Sequence, residues 1–333
     1  MDSARVLALI DTLASAHVAV IGDVVADEFV YGRVARVSRE APVLILEYDS
    51  TQIVPGGAGN AANNVAALGG RTTLVAVVGR DEPGRRMEAA LHPRVDRRRL
   101  VRVAGRPTPV KTRILAGGVH SAKQQVVRID RGVNQAVGVR TAAAFERAAL
   151  AAALGADAVL VSDYGSGLVT PALVTRLRVA VRRAGLPIPI LIDSRYQLLK
   201  YRGLTACTPN ESEVEQALGV RINDNPRLLE KAGRAILRET RMDAVLVTRG
   251  SRGMALFVRE SATVHIPIFG SDEVADVTGA GDTVMATMAL ALATGASFES
   301  AAQLANCAGG LVVMKRGTAT VSAAELRGAV RRG

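Results

Sequence analysis

The sequence predicts an α/β fold, a doubly wound and mostly parallel sheet flanked by helices, with a small β-rich subdomain inserted near the N-terminal half. Three observations predict it. Short β-branched runs alternate with alanine- and leucine-rich helical stretches, the rhythm of successive βα units. Those runs are apolar throughout, as strands covered on both faces are. Two stretches, 31–54 and 109–130, break the rhythm and together read as a small antiparallel subdomain.

Buried strands are expected at 18–21, 74–78, 158–161, 188–192 and 244–247. Helices are expected at 58–68, 84–91, 141–154, 171–184, 211–218, 226–239, 281–293, 298–313 and 322–331. Several open on Thr, Ser, Pro or acidic residues, which suit caps and first turns. In the insertion, 110–115 and 124–129 flank Ala116-Gly117-Gly118 as a hairpin. Beside the C-terminal edge of a parallel sheet such an insertion is placed to be a lid over a substrate crevice, although a plain edge extension gives the same pattern. Residues 1–333 read as one domain, without internal repeat or low-complexity linker.

At 49% hydrophobic and 22% charged, the 333 residues exclude a disordered or collagen-like chain. A chain of this length buries enough surface to fold without disulfides. Cys207 and Cys307 are expected to be small buried hydrophobes in a reduced, cytoplasmic protein. Lys+Arg 42 against Asp+Glu 31 gives +11, and with five lysines the remaining 37 are arginine. That excess points to anionic partners, nucleic acid or small phosphorylated molecules. Aromatic content of 3% without Trp weighs against nucleic acid, which needs stacking faces. No apolar run reaches the roughly 18 residues of a membrane span, so no membrane partner is expected.

The sharpest motif is Asp276-Val277-Thr278-Gly279-Ala280-Gly281-Asp282-Thr283, followed by an apolar helical run. Glycines at a helix N-terminus let backbone amides meet an anion. Asp282 beside such a site could take the proton of a hydroxyl attacking a phosphoryl group; as a bare pattern it is more often a glycine turn with a helix-capping Asp, and context must decide. Gly57 and Asn60, in Pro55-Gly56-Gly57-Ala58-Gly59-Asn60, could approach a polyhydroxylated ligand, or Asn60 could cap its helix. Asp23 and Asp27 follow the first strand, where open α/β sheets bind ligands, and either could instead cap a turn. Asn210 and Glu213, one helical turn apart, suit a hydrated Mg²⁺ near phosphates or an ordinary capped helix start. Thr248, Gly250 and Gly253 leave a strand through two glycines and could line a nucleotide pocket or join two strands. No Walker A sequence occurs, and His17, His92, His120 and His265 lack metal-site spacing.

In this order the motifs resemble the ribokinase-like (pfkB) carbohydrate kinases over nearly the whole chain. Within that family the likeness is greatest to the D-glycero-β-D-manno-heptose 7-phosphate kinases, including the kinase half of bifunctional heptose enzymes. The words that carry it include Gly22-Asp23, Tyr31-Gly32, Lys111-Thr112-Arg113, Gln124-Gln125, Ser162-Asp163-Tyr164-Gly165 and Thr208–Glu213. The resemblance implies ATP- and Mg²⁺-dependent transfer to a sugar hydroxyl, with Asp282 as base and Gly279, Ala280 and Gly281 as anion hole. It further implies Asn210 and Glu213 at the magnesium and phosphates, Thr248, Gly250 and Gly253 at the nucleotide, and Asn306 at the adenine. Asp27, Gly57 and Asn60 would hold the sugar. Charge and placement make Lys111, Arg113 and Arg128 candidates for the substrate's phosphate. Two departures bear on the substrate: Ser166 stands where the heptose kinases usually carry Lys, and Asp193-Ser194-Arg195 where they carry Asp-Pro-Lys. The sequence is expected to lack the nucleotidyltransferase half of the bifunctional enzymes. Heptose 7-phosphate, giving the 1,7-bisphosphate, is the expected substrate, and another sugar or sugar phosphate of ribose or fructose type is the alternative. A non-catalytic basic binding protein is the reading of a different class. Exposed edges in 31–54 and 109–130 predict a homodimer through the lid.

Overall fold

The computed structural model describes residues 3–117, 123–132, 137–270 and 276–332. Its apolar runs assemble a nine-stranded sheet. From one edge to the other the order is Val264–Ile266, Met254–Val258, Ala244–Thr248, Ala206–Cys207, Ile190–Ser194, Ala158–Asp163, His17–Gly22, Arg71–Val75 and Val95–Asp96. The first two are antiparallel additions, and every other neighbouring pair is parallel. Side chains alternate between two cores: Val18, Val20 and Leu160 face one, Ala19, Ile21 and Val161 the other. Helices Ala58–Ala67, Ala280–Ala293 and Phe298–Val312 cover the first face. Helices Val139–Ala153, Pro171–Arg183 and Pro226–Thr240 cover the second. The expected start signals operate locally: Thr170 accepts from Leu173 N–H and Ser297 from Ser300 N–H. Cys207 and Cys307 are buried, and burial pushes both thiols up, Cys307 to about 12.

The expected strand at 74–78 is divided. Arg71–Val75 stays in the large sheet, and Val77–Gly79 pairs in parallel with Val101–Val103. Ser3–Thr12, a helix not anticipated, packs beside Ala323–Arg332, with an Arg327–Asp11 ion pair at 2.5 Å.

A second sheet has the order Leu44–Gly57, Val24–Val37, Val110–Gly117, Gln124–Arg131. It starts at Val24, directly after Asp23, because the apolar residues at its root are buried and carry no polar break. It is not wholly antiparallel: the middle pair is parallel, since both of its strands leave the core in the same direction, and the outer pairs are antiparallel. The expected hairpin turn includes Gly118, which lies outside the described residues. All of Gln124–Arg131 is exposed, as are Val34, Leu44 and Tyr48. Among the described residues no helix is long and apolar enough to cross a membrane.

Candidate active site

The catalytic candidate Asp282 lies in the first turn of Ala280–Ala293 and is buried. Asn60, on the helix Ala58–Ala67, donates from Nδ2 to Asp282 Oδ2 at 2.9 Å. Tyr164, in the loop after Ala158–Asp163, donates its hydroxyl to Asp282 Oδ1 at 3.0 Å. Burial pushes the Asp282 carboxyl up to about 7, aided by the charge of Asp27 and opposed by the two donors and by Lys111. A carboxyl near 7 is poised to exchange a proton at neutral pH.

Gly279, with φ 79°, turns the chain into this helix. Ala280 N–H donates back to Val277 O at 3.2 Å, whereas no hydrogen bond among the described residues uses the amides of Gly279, Gly281 or Asp282. Those amides and the helix dipole can receive an anion beside the carboxylate. The amide of Asn60 is occupied at both ends: Nδ2 also reaches Gly279 O at 3.3 Å, and Oδ1 accepts from Asn64 at 3.1 Å. Gly57, with φ 57°, brings Asp23 O to Ala58 N–H at 2.9 Å. Asp27 accepts from Arg113 Nη1 at 2.6 Å and from Thr318 Oγ1 at 3.1 Å. Arg113 is thus held by a buried carboxylate, and Arg128 is paired on the surface with Asp130 at 2.9 Å. Asp23 is a turn cap, accepting from Tyr164 N–H at 2.9 Å and from Ser166 Oγ at 2.5 Å.

A cavity of about 200 Å³ opens beside Tyr164, lined by Lys111, Arg106, Arg128, Asp130 and Arg195. Lys111 Nζ lies 5.1 Å from the Tyr164 ring centroid, and burial pulls its ammonium below the ordinary lysine range. Farther along the sheet edge, Asn210 and Glu213 form a reciprocal capping box, each side chain accepting from the other's backbone N–H at 2.9 Å. Burial raises the Glu213 carboxyl. Asp193 is raised more strongly, by burial and then by Glu213, Asp282 and Asp163. Thr248 and Gly250 share a cavity of about 500 Å³ with Asn210. Gly253, with φ 74°, closes that turn onto Met254–Val258. Asn306 lines a separate cavity of about 770 Å³ and donates to Pro267 O at 2.8 Å.

The structure therefore gathers Asp27, Gly57, Asn60, Lys111, Arg113 and the Gly279–Asp282 turn; Asn210 and Thr248 are joined by a β-bridge and share one cavity, and Asn306 stands in another. No role was expected for Tyr164, Asp193, Arg106 or Thr318, although Asp193 stands in Asp193-Ser194-Arg195. Tyr164 was visible within Ser162-Asp163-Tyr164-Gly165, and Thr318 has no local signal at all.

A family model described as pfkB family carbohydrate kinase matches residues 15–325. Bifunctional protein HldE of Geobacter metallireducens is 42% identical over 313 residues, covering 93% of this chain and 62% of that protein. The protein of the same name from Caulobacter vibrioides is 43% identical over 320 residues, covering 94% and 63%. The chain spans less than two thirds of the length of these relatives. Among solved structures, Arabidopsis thaliana ribokinase complexed with ribose and ATP superposes with a TM-score of 0.71 at 21% identity, covering 95% of this chain and 99% of that one. Escherichia coli phosphofructokinase-2 in complex with fructose-6-phosphate gives 0.72 at 17%, covering 95% and 98%. At such identities the likeness is one of fold, and the fold is ribokinase-like. By family match and relatives together, the chain belongs to the pfkB family of carbohydrate kinases, a sugar kinase and not the non-catalytic binding protein that its charge alone would allow.

Proposed function

We propose that this kinase transfers the γ-phosphoryl group of ATP to a hydroxyl of heptose 7-phosphate, giving the 1,7-bisphosphate, in the cytoplasm and in the supply of lipopolysaccharide precursors. The observation that carries it is one buried carboxylate, Asp282, held at a helix N-terminus beside a cavity rimmed by Lys111, Arg106, Arg128 and Arg195. The sugar hydroxyl gives its proton to Asp282 as its oxygen bonds to phosphorus and the bond to the ADP oxygen breaks. The amides of Gly279 and Gly281 receive the charge that develops on the transferring oxygens. Asp27 retains lone pairs for sugar hydroxyls beyond those given to Arg113 and Thr318. Asn60 serves the sugar through Asp282, and Arg113 through Asp27. Lys111 and Arg195 meet the distal phosphate with Arg128, and Arg195 supplies a cation where Ser166 does not.

The acidic groups suit Mg²⁺. Asn210 and Glu213 already bond each other's amides, so their remaining lone pairs would meet the ion through its water, with Asp193 alongside. Asp193 is raised first by burial and then by repulsion from Glu213, Asp282 and Asp163, and a divalent cation would relieve that repulsion. Bound there, Mg²⁺ would neutralise charge on the nucleotide phosphates. Thr248, Gly250 and Gly253 would line the triphosphate and Asn306 the adenine.

ADP release measured with ATP and Mg²⁺ across heptose 7-phosphate, ribose, fructose and fructose phosphates tests the substrate. Turnover with heptose 7-phosphate at a kcat/KM at least tenfold above the others is expected. Turnover on another sugar alone would move the assignment to that sugar.

We also propose a homodimer through the outer face of the second sheet, supported by its exposed Val34, Leu44, Tyr48, Val127 and Ile129. Light scattering should give twice the chain mass, and Val127→Glu with Ile129→Glu should return it to the monomer. A monomeric wild type removes this part of the proposal.

A further inference from the structure

We infer that Tyr164 is the positioning residue of this site: its hydroxyl fixes the Asp282 carboxylate while its ring seats Lys111, so the base and the phosphate end of the substrate cavity are built on one side chain. The inference rests on the sugar-kinase role of Asp282 proposed above.

Four contacts define Tyr164. Its backbone N–H donates to Asp23 Oδ2 at 2.9 Å, anchoring the loop to the end of the central strand. One edge of its ring lies against the Gly57 turn, where an added Cβ would come within 3.3 Å of Cε2. Above the ring is the Lys111 ammonium, 5.1 Å from the centroid. The phenolic oxygen donates to Asp282 Oδ1 at 3.0 Å. Burial and the carboxylates of Asp282, Asp193 and Asp27 push the phenol well above its ordinary range, so it remains a donor throughout working pH.

With Tyr164 on Oδ1 and Asn60 on Oδ2, the carboxylate is gripped at both oxygens and cannot rotate freely. The charged groups facing it are Asp27 and Lys111 from the second sheet and Asp193 from the large one. Of the two neutral donors, Asn60 also holds Gly279 O, so its loss disturbs the anion-binding turn as well. The Tyr164 hydroxyl serves Asp282 alone among the described residues. A donor to the ionised form stabilises that form, so Tyr164 keeps the base available at a lower pH than burial would otherwise permit.

Tyr164→Phe removes the hydroxyl and keeps the ring. A lost hydrogen bond to a charged group should move the acid limb of kcat/KM upward by about one pH unit. At pH 7 the ionised fraction then falls from about a half to about a tenth, a fivefold loss in rate that is recovered above the displaced limb. KM for the sugar phosphate should stay unchanged, whereas Tyr164→Leu, which also unseats Lys111, should raise it. A carbon-13 titration of the Asp282 carboxyl in the substrate-free protein reads the same displacement without turnover. If the sugar-kinase reading fails, the rate assay falls silent and this titration still decides the contact. An unmoved Asp282 titration in Tyr164→Phe, or a rate loss equal at every pH, overturns the inference.

Discussion

Asp282→Asn should lower kcat by about 10²- to 10⁴-fold, the usual contribution of a positioned general base, with ATP affinity retained. The substitution is nearly isosteric and its hydrogen bonds can be remade. The new carbonyl oxygen accepts from Asn60 Nδ2, and the new amide donates to the Tyr164 oxygen, which can accept as readily as it donates. Single-turnover rates and ATP titration measure the two quantities separately. A mutant turning over within a few-fold of wild type would remove Asp282 from its role.

The same variant should change stability with a definite sign. In the folded protein the Asp282 carboxyl is raised to about 7 from an unfolded value of 3.8, so the folded state binds the proton more tightly. Its contribution is therefore fully present below pH 3.8, declines as pH rises toward about 7, and stays at its minimum above that. Asn carries no such penalty. The Tm difference between Asp282→Asn and wild type should favour the mutant at pH 8 and shrink as pH falls through that window. In the wild-type enzyme kcat/KM should fall about tenfold per unit below the limb near 7.

Gly279→Ala should be the second most damaging small change, costing about 10²-fold in kcat. Two effects combine. At φ 79° a side chain is strained by roughly 1–2 kcal/mol. The new Cβ would also stand 2.5 Å from Asn60 Nδ2, so Asn60 must leave the position from which it holds Asp282. Thermal melting should register the strain as a loss of several degrees, while kcat reports the displaced carboxylate. Wild-type kcat in a destabilised Gly279→Ala would mean that Asn60 need not stand where it does.

Local signals account for what was legible in the sequence. Val18–Ile21 and Ala158–Val161 announce themselves because a strand covered on both faces must be apolar throughout. Asn210-x-x-Glu213 writes its own geometry, since both partners of a capping box lie within one turn. The pairing of Asn60 with Asp282 is different. These residues stand 222 positions apart and meet only because Ala58–Ala67 and Ala280–Ala293 pack on the same face of the sheet. Arg113 shows the limit most clearly. Read as a cation in a lid, it suited a substrate phosphate, yet parallel pairing in register with Phe29 puts it two residues along from Asp27's partner and on the same face. There it pairs with a buried carboxylate, a contact that no local pattern announces. Thr318 reaches Asp27 across 291 positions, and no pattern of neighbours could have announced that. The second sheet began earlier than expected for a related reason: Val24, Val25 and Ala26 are as apolar as the core strand they follow, so composition does not change where the strand changes sheets.

The second sheet's first two strands leave the core at Asp23 and rejoin it at Ala58, and one hydrogen bond, Ala58 N–H to Asp23 O at 2.9 Å, closes that gap. An excursion whose ends meet can lengthen, shorten or change sequence while its roots stay where they are. Asp282 and Asn60, on two helices that cover one face of the large sheet, lie on the core side of that junction. Rebuilding this arm can therefore change what the protein accepts without moving the turn that carries Asp282.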